Sequence, residues 1–291
     1  MADAHQTHPA ADLAIWVESA VKDFCLTSPD NSLHNKGNER GTEEPLVGFS
    51  SGADPLYLEL QADIGAPCLT PAEIFAQAHP QAPARPDELT VISFALPKTT
   101  RVKEDNRAET TYPARRWIES KHYGEAFAAK LCAQLVGALA EAGHDAVSPG
   151  QAASYTIGKS ARYGLASTWS ERHAAYVSGL GTFGLCDGLI TARGKAVGCY
   201  SVIARAAIAP TPRPSSDRHA SCLFYAQGAC GLCIERCPAD AISASGHDKE
   251  RCRQHCFGIT VPYARSHFGI DDYGCGLCQT GVPCESADPT R

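Results

Sequence analysis

Nine of the fourteen cysteines in this 291-residue chain lie between Cys222 and Cys284. They form two motifs, Cys222-x7-Cys230-x2-Cys233-x3-Cys237-Pro238 and Cys275-x2-Cys278-x5-Cys284, with Cys252 and Cys256 between them. A Cys-x2-Cys pair lets one tight loop present two thiolates to a single metal site. Clustered thiols in a reducing compartment are metal ligands before they are disulfides. Two metal chemistries use such sets, structural zinc and iron–sulfur clusters. Nine cysteines exceed what a zinc ribbon uses, and Cys-x3-Cys-Pro is not a zinc spacing. The pattern therefore favours two iron–sulfur clusters.

The Cys233-x3-Cys237-Pro238 ending is the mark of bacterial-type ferredoxins, in which the last cysteine reaches across to the other cluster. Pro238 suits the first turn of a helix, because its missing N–H is not needed there. Ala239–Ile242 is accordingly predicted as a short helix whose N-terminus faces an anionic cluster. Gly228, Gly231, Gly274 and Gly276 would let backbone N–H groups approach the sulfurs.

A second candidate region precedes the cysteines. Gly179-Leu-Gly-Thr-Phe-Gly184 fits Gly-x-Gly-x-x-Gly, but a dinucleotide fingerprint needs a strand before it and a helix after it. Here a helical pattern precedes and a strand-like run follows, so a plain structural turn stays open as the simpler reading. His173 and Tyr176 lie one helical turn apart beside this loop and are candidate proton donors. Asp187 could do the same work or merely form a turn. Cys186 and Cys199 flank the region, and a buried inert thiol is the default for each.

These groups must be held by a mixed scaffold. Residues 11–25 carry Leu13, Trp16, Val17, Ala20, Val21 and Phe24 on one helical face. The polar stretch 34–52 reads as loop. Thr70-Pro-Ala-Glu73 is a capping box with proline at the first helical position. Leu89–Leu96 is an apolar run ended by Pro97, which suits a buried strand. Pro113–Ala142 is a long helical pattern with Gly143 where a C′ residue belongs. A helix is expected over Ser170–Val177. Strands are expected at Gly188–Thr191 and Val197–Ala204, joined by a turn at Arg193-Gly194. The Pro-rich stretch after Ala209 marks a boundary, which gives an α+β fold with domains at 1–212 and 213–291.

Composition adds exclusions. The formal net charge is −6 and charged residues make up 20% of the chain. No basic run suggests a nucleic-acid partner. No apolar run approaches the ~20 residues of a membrane span. Met1–His8 lacks the features of an export signal, so a cytoplasmic protein is expected.

The order Cys-x2-Cys-x3-Cys-Pro, then Asp248-Lys-Glu-Arg-Cys252, then Gly274-Cys-Gly-Leu-Cys278-Gln resembles the C-terminal half of epoxyqueuosine reductases, relatives of reductive dehalogenases. Upstream, Ala174–Leu185 is similar to the family's Gly-Leu-Gly segment, and the resemblance runs from about Trp117 to Cys284. It implies a nitroreductase-like N-terminal domain that binds cobalamin and a ferredoxin-like domain with two 4Fe–4S clusters. One cluster would take Cys222, Cys230, Cys233 and Cys284, the other Cys237, Cys252, Cys275 and Cys278, with Cys256 as an alternative to Cys252. The corrin would lie against Gly179, Leu180, Gly181, Thr182 and Gly184. An external low-potential donor of ferredoxin or flavodoxin type would deliver electrons, and a small organic molecule would receive them. The alternatives are a corrinoid-reducing protein without its own substrate, and a flavin reductase fused to a ferredoxin domain.

Three departures qualify the resemblance. The family's first cluster ligand falls at Gln227 here, so Cys222 must serve from a longer loop. Five residues separate Cys278 from Cys284 where the family has three, and Glu285 replaces its proline. The epoxyqueuosine-specific members carry an Asp six residues before the Glu of a Glu-Arg or Glu-Lys pair. Counting back from Glu171-Arg172 gives Leu165, so a different substrate is expected.

Overall fold

A computed structural model describes residues 10–291; the reading of Met1–His8 falls outside them. The chain runs α1 (Ala10–Thr27), β1 (Leu46–Ser51), α2 (Leu56–Ile64), α3 (Pro71–Ala78), β2 (Leu89–Pro97), α4 (Thr100–Ala108) and α5 (Arg115–Glu141). It continues through β3 (Ala146–Val147), β4 (Ile157–Ser160), β5 (Gly164–Ser167), α6 (Glu171–Val177), β6 (Gly181–Phe183), β7 (Leu189–Thr191) and β8 (Val197–Arg205). The cysteine-rich part holds α7 (Leu223–Gln227), α8 (Leu232–Glu235), β9 (Ile242–Ser243), β10 (Gly246–His247), α9 (Lys249–His255) and α10 (Val261–Phe268).

The central sheet has the order β1-β2-β8-β3 and is antiparallel throughout. Strand side chains alternate between faces, and each face of this sheet is covered. Ile92, Phe94 and Val202 pack with Leu13, Val17 and Val21 of α1 and Phe127, Leu131, Leu135 and Leu139 of α5. Val91, Ala95 and Ile203 pack with Ile74 and Phe75 of α3, Trp169, and Ala174 and Val177 of α6. All nine residues of β2 are therefore buried, which is why it reads as a continuous apolar run. Burying each large side chain of α5 contributes about 1.5–3 kcal/mol.

The expected α1, α3, β2, α5 and α6 are present. Thr70 and Glu73 form the reciprocal capping box of α3, and Gly143 follows α5 with φ of 86°. Three expectations need correction. The stretch 34–52 contains β1, whose Leu46–Ser51 pairs along β2; pairing supplies what a weak apolar pattern did not. The two strands at 189–205 do not form one hairpin. β7 pairs with β6, and β8 crosses into the central sheet between β2 and β3. Ala239–Ile242 is not a helix, because Asp240 adopts φ of 48° and the chain turns directly into β9.

The cysteine-rich part is packed onto what precedes it. Thr211 of the Pro-rich connector donates its N–H to Phe49 O at 2.9 Å and accepts from Phe49 N–H at 2.9 Å. Asn106 of α4 donates to Thr280 Oγ1 at 3.1 Å, and the buried Glu285 accepts from Arg107. Arg236 donates to the carbonyls of Asn106 and Leu277. No helix among the described residues is long and apolar enough to cross a membrane.

Candidate redox site

Cys222 caps α7 and Cys233 lies within α8, so two short helices aim these thiols inward. Cys230 and Cys284 join them around one small cavity that Leu185, Phe224 and Val282 also line. The left-handed Gly228 (φ 64°) turns the chain between α7 and Cys230. Four soft thiol donors in an apolar shell fit an iron–sulfur cluster. Among the described residues no group of three or more His, Cys, Asp or Glu converges to hold a metal ion; the cysteines line cavity walls instead.

The second set faces a cavity of about 640 Å³, bordered by Cys237, Cys252, Cys256, Cys275 and Cys278. Cys237 Sγ accepts a hydrogen bond from Ala241 N–H at 3.3 Å. Backbone N–H donation to sulfur is a feature that tunes iron–sulfur potentials, and here the Pro238 turn provides it without a helix. Cys252 sits in α9, whose N-cap Asp248 accepts from Arg251 N–H at 2.9 Å. Cys256 follows four residues later, where the helix widens into a π turn over Cys256–Thr260. Such turns concentrate at functional sites. The structure brings both Cys252 and Cys256 to this cavity.

The same cavity also borders the protonic groups. Glu171 opens α6, and its Oε2 accepts from Ser201 Oγ at 2.6 Å, which in turn accepts from Trp169 Nε1 at 2.9 Å. Burial pushes the Glu171 carboxyl up to about 8, against the opposing Ser201 bond. It therefore holds its proton at neutral pH. Lys98, just beyond β2, donates to Ser120 Oγ at 2.8 Å and lies 5.1 Å from the Trp117 ring centroid. Burial pushes its ammonium down to about 8. Tyr155, Tyr200 and Tyr273 complete the aromatic lining. A cavity of this size and lining suits a flat organic ligand.

The other expected site residues lie elsewhere. His173 Nδ1 is 2.7 Å from Ser170 Oγ, and its ring rests on Phe183 at 4.9 Å. Tyr176 is buried in the core against the other edge of Phe183. Neither lines the large cavity, whereas Glu171 on the same helix does. The glycine loop is explained by protein neighbours. A Cβ on Gly181 would strike the carbonyl of Ile190, and one on Gly179 (φ 78°) would meet the backbone of Pro212. Gly179, Leu180, Gly181 and Thr182 are thus packed inside, while Gly184 borders the small cysteine cavity. Asp187 is a turn residue (φ 57°) whose carboxylate meets His247 at 3.2 Å. Leu165 is 45% exposed on β5, away from both cavities.

Sequence reasoning missed three groups. Glu171 served only as a marker from which to count, although it begins a helix. Lys98 follows a buried strand, an unusual place for a cation to stay enclosed. Lys195 is 3% exposed and donates to Cys186 Sγ at 3.3 Å, which removes Cys186 from the class of isolated apolar thiols.

No protein-family model matches the chain, and no curated protein matches its sequence. Solved structures do match. An epoxyqueuosine reductase bound to an epoxyqueuosine-modified tRNA-Tyr stem loop aligns with a TM-score of 0.55 at 16% identity, over 95% of this chain and 66% of that one. The epoxyqueuosine reductase from Bacillus subtilis gives 0.51 at 17% identity with the same coverage. A catabolic reductive dehalogenase in complex with 3-bromo-4-hydroxybenzoic acid gives 0.51 at 14% identity, over 98% of this chain and 38% of that one. The fold is therefore the one that epoxyqueuosine reductases and reductive dehalogenases share, as the sequence resemblance implied. This chain spans 66% of the length of those epoxyqueuosine reductase structures.

Proposed function

We propose that this chain is a cytoplasmic iron–sulfur oxidoreductase that reduces a small organic substrate other than epoxyqueuosine, with a corrinoid in the large cavity. The observation that carries this reading is one cavity of about 640 Å³ lined both by cluster-type cysteines and by Glu171, whose carboxyl burial holds protonated. Reduction of an organic bond needs both an electron source and a proton source, and this cavity would bring the two together.

Cys222, Cys230, Cys233 and Cys284 would hold one 4Fe–4S cluster. Cys237, Cys275, Cys278 and Cys252 would hold the second, nearer the cavity. An external donor of ferredoxin or flavodoxin type would load them one electron at a time. A corrinoid bound there would supply low-valent metal chemistry to the substrate. Glu171 keeps its proton at neutral pH and delivers it from Oε1 or Oε2. Ser201 orients that carboxyl, and Trp169 orients Ser201. Trp117 and Tyr200 present apolar rings to the cavity. The exposed Leu165 leaves the position expected for an epoxyqueuosine-specific acid without one, which argues for a different substrate.

Anaerobic reconstitution with iron, sulfide and cobalamin tests the reading. About eight irons and one cobalt per chain, with a corrinoid absorbance spectrum, are expected. Tight flavin binding in place of cobalt would replace the corrinoid by the flavin alternative. Colourless, zinc-loaded protein would end the proposal.

A further inference from the structure

Lys195 is an unusual residue to bury. It is 3% exposed, and it forms no ion pair with a carboxylate among the described residues. Its ammonium donates instead to Cys186 Sγ at 3.3 Å. Its backbone N–H donates to the carbonyl of Cys284 at 2.8 Å. The side chain lines the small cavity together with Cys222, Cys230, Cys233 and Cys284. The Cys186 thiol that it holds lies in turn against Cys233 of the first set and Cys278 of the second.

Enclosing an ammonium without a counter-charge costs several kcal/mol. The fold nevertheless holds this one firmly, on the short link between β7 and β8, whose Gly194 (φ 77°) has its Cα against the backbone of Glu285. The compensating charge must therefore come from the cysteine side. Four thiolates around a 4Fe–4S core provide it, because such a cluster is a net anion whose charge grows by one on reduction.

We infer that Lys195 is the counter-charge of the cluster held by Cys222, Cys230, Cys233 and Cys284, and that it raises the reduction potential of that cluster relative to its neighbour. This inference rests on the two-cluster reading. In an enclosed apolar site a fixed positive charge favours the state with one more electron. The first cluster then becomes the easier to reduce and receives electrons from the external donor. The second meets this charge through Cys278, while Cys233 and Cys284 of the first both lie beside it, so the second shifts less and keeps the lower potential. Lys195 touches neither substrate nor donor, so it is a positioning residue for charge.

The test compares wild type, Lys195→Gln and Lys195→Arg after anaerobic reconstitution. The readouts are iron content and a redox titration followed by electron paramagnetic resonance. Lys195→Gln keeps a hydrogen-bond donor toward Cys186 and removes the charge; Lys195→Arg keeps the charge. One midpoint should fall in Lys195→Gln by at least a tenfold change in the one-electron equilibrium, 59 mV. The other midpoint should move less, and Lys195→Arg should resemble wild type. Loss of one cluster in Lys195→Gln with full loading of Lys195→Arg would also support the role of charge. Unchanged midpoints in Lys195→Gln, or equal cluster loss in both variants, would overturn it. A wild type that holds no iron would overturn the two-cluster reading itself, an outcome distinct from two intact clusters with unmoved potentials.

Discussion

The indole of Trp117 lies directly against the Cα of Gly276, leaving no room for a Cβ there. Trp117 is a buried residue of α5, and Gly276 is the left-handed residue (φ 65°) between Cys275 and Cys278. The long helix of the scaffold thereby sets the height of the loop that carries two thiols of the second set.

Gly276→Ala should therefore push the cysteine loop away from α5. Overpacking and the left-handed φ together should cost about 1–3 kcal/mol. Iron content should fall toward about half, because only the second cluster depends on this loop. A thermal melt and an iron assay check both; a normal melt with full iron would show that the loop is not held by this contact.

Glu171→Gln should abolish most proton delivery while leaving the clusters loaded. In wild type, turnover should decline as pH rises through about 8, where Glu171 loses its proton. Stability has a matching sign. An ordinary glutamate ionises near 4.3. Between that value and about 8 the folded protein holds a proton that the unfolded chain releases, so stability falls as pH rises across this window. Glu171→Gln should flatten that slope in denaturant titrations at several pH values. An unaltered slope would mean that the carboxyl ionises normally.

Cys252→Ser should lose or convert one cluster, and Cys256→Ser should keep both. The basis is the Asp248-capped helix that delivers Cys252, in a segment that resembles its counterpart in epoxyqueuosine reductases. Iron per chain and the spectrum of each reduced variant distinguish them. Loss confined to Cys256→Ser would assign the π-turn cysteine as the ligand.

Gly181→Val should lower the melting temperature and the iron content together, because the new side chain must displace the Ile190 backbone. Corrinoid affinity should change only as far as folding does. A well-folded variant with selectively weakened cobalamin binding would return the glycine loop to the cofactor.

What the sequence revealed depended on how local the cause was. The capping box at Thr70, the all-buried strand Leu89–Pro97 and the stripe of α5 are set by neighbours within a few residues, and each was readable. Strand β1 was not, because Val47 and Phe49 become strand residues only opposite Phe94 and Ile92. The cysteines pointed to iron–sulfur chemistry by spacing alone, and the structure brings them to two cavities. Glu171 did not announce itself, since its raised pKa comes from burial in a cavity built by distant segments, and that burial outweighs the opposing bond from Ser201, thirty residues further on. His173 and Tyr176 were correctly placed on one helix, but the face that meets the cavity is the one beginning at Glu171.

The position of β8 between β2 and β3 also orders the birth of the molecule on the ribosome. Thr90 of β2 bonds to Ala206, 116 residues away. Until that segment emerges, the edge of β2 opposite β1 has a row of unpaired backbone groups. Long-range antiparallel closure of this kind is slow, and the waiting strand is prone to stick to other chains. The cysteines at 222–284 leave the ribosome only after β8, so any metal they take is bound last. Overproduction that outruns this closure should yield aggregates rich in apoprotein, and slower synthesis at low temperature should favour the loaded form.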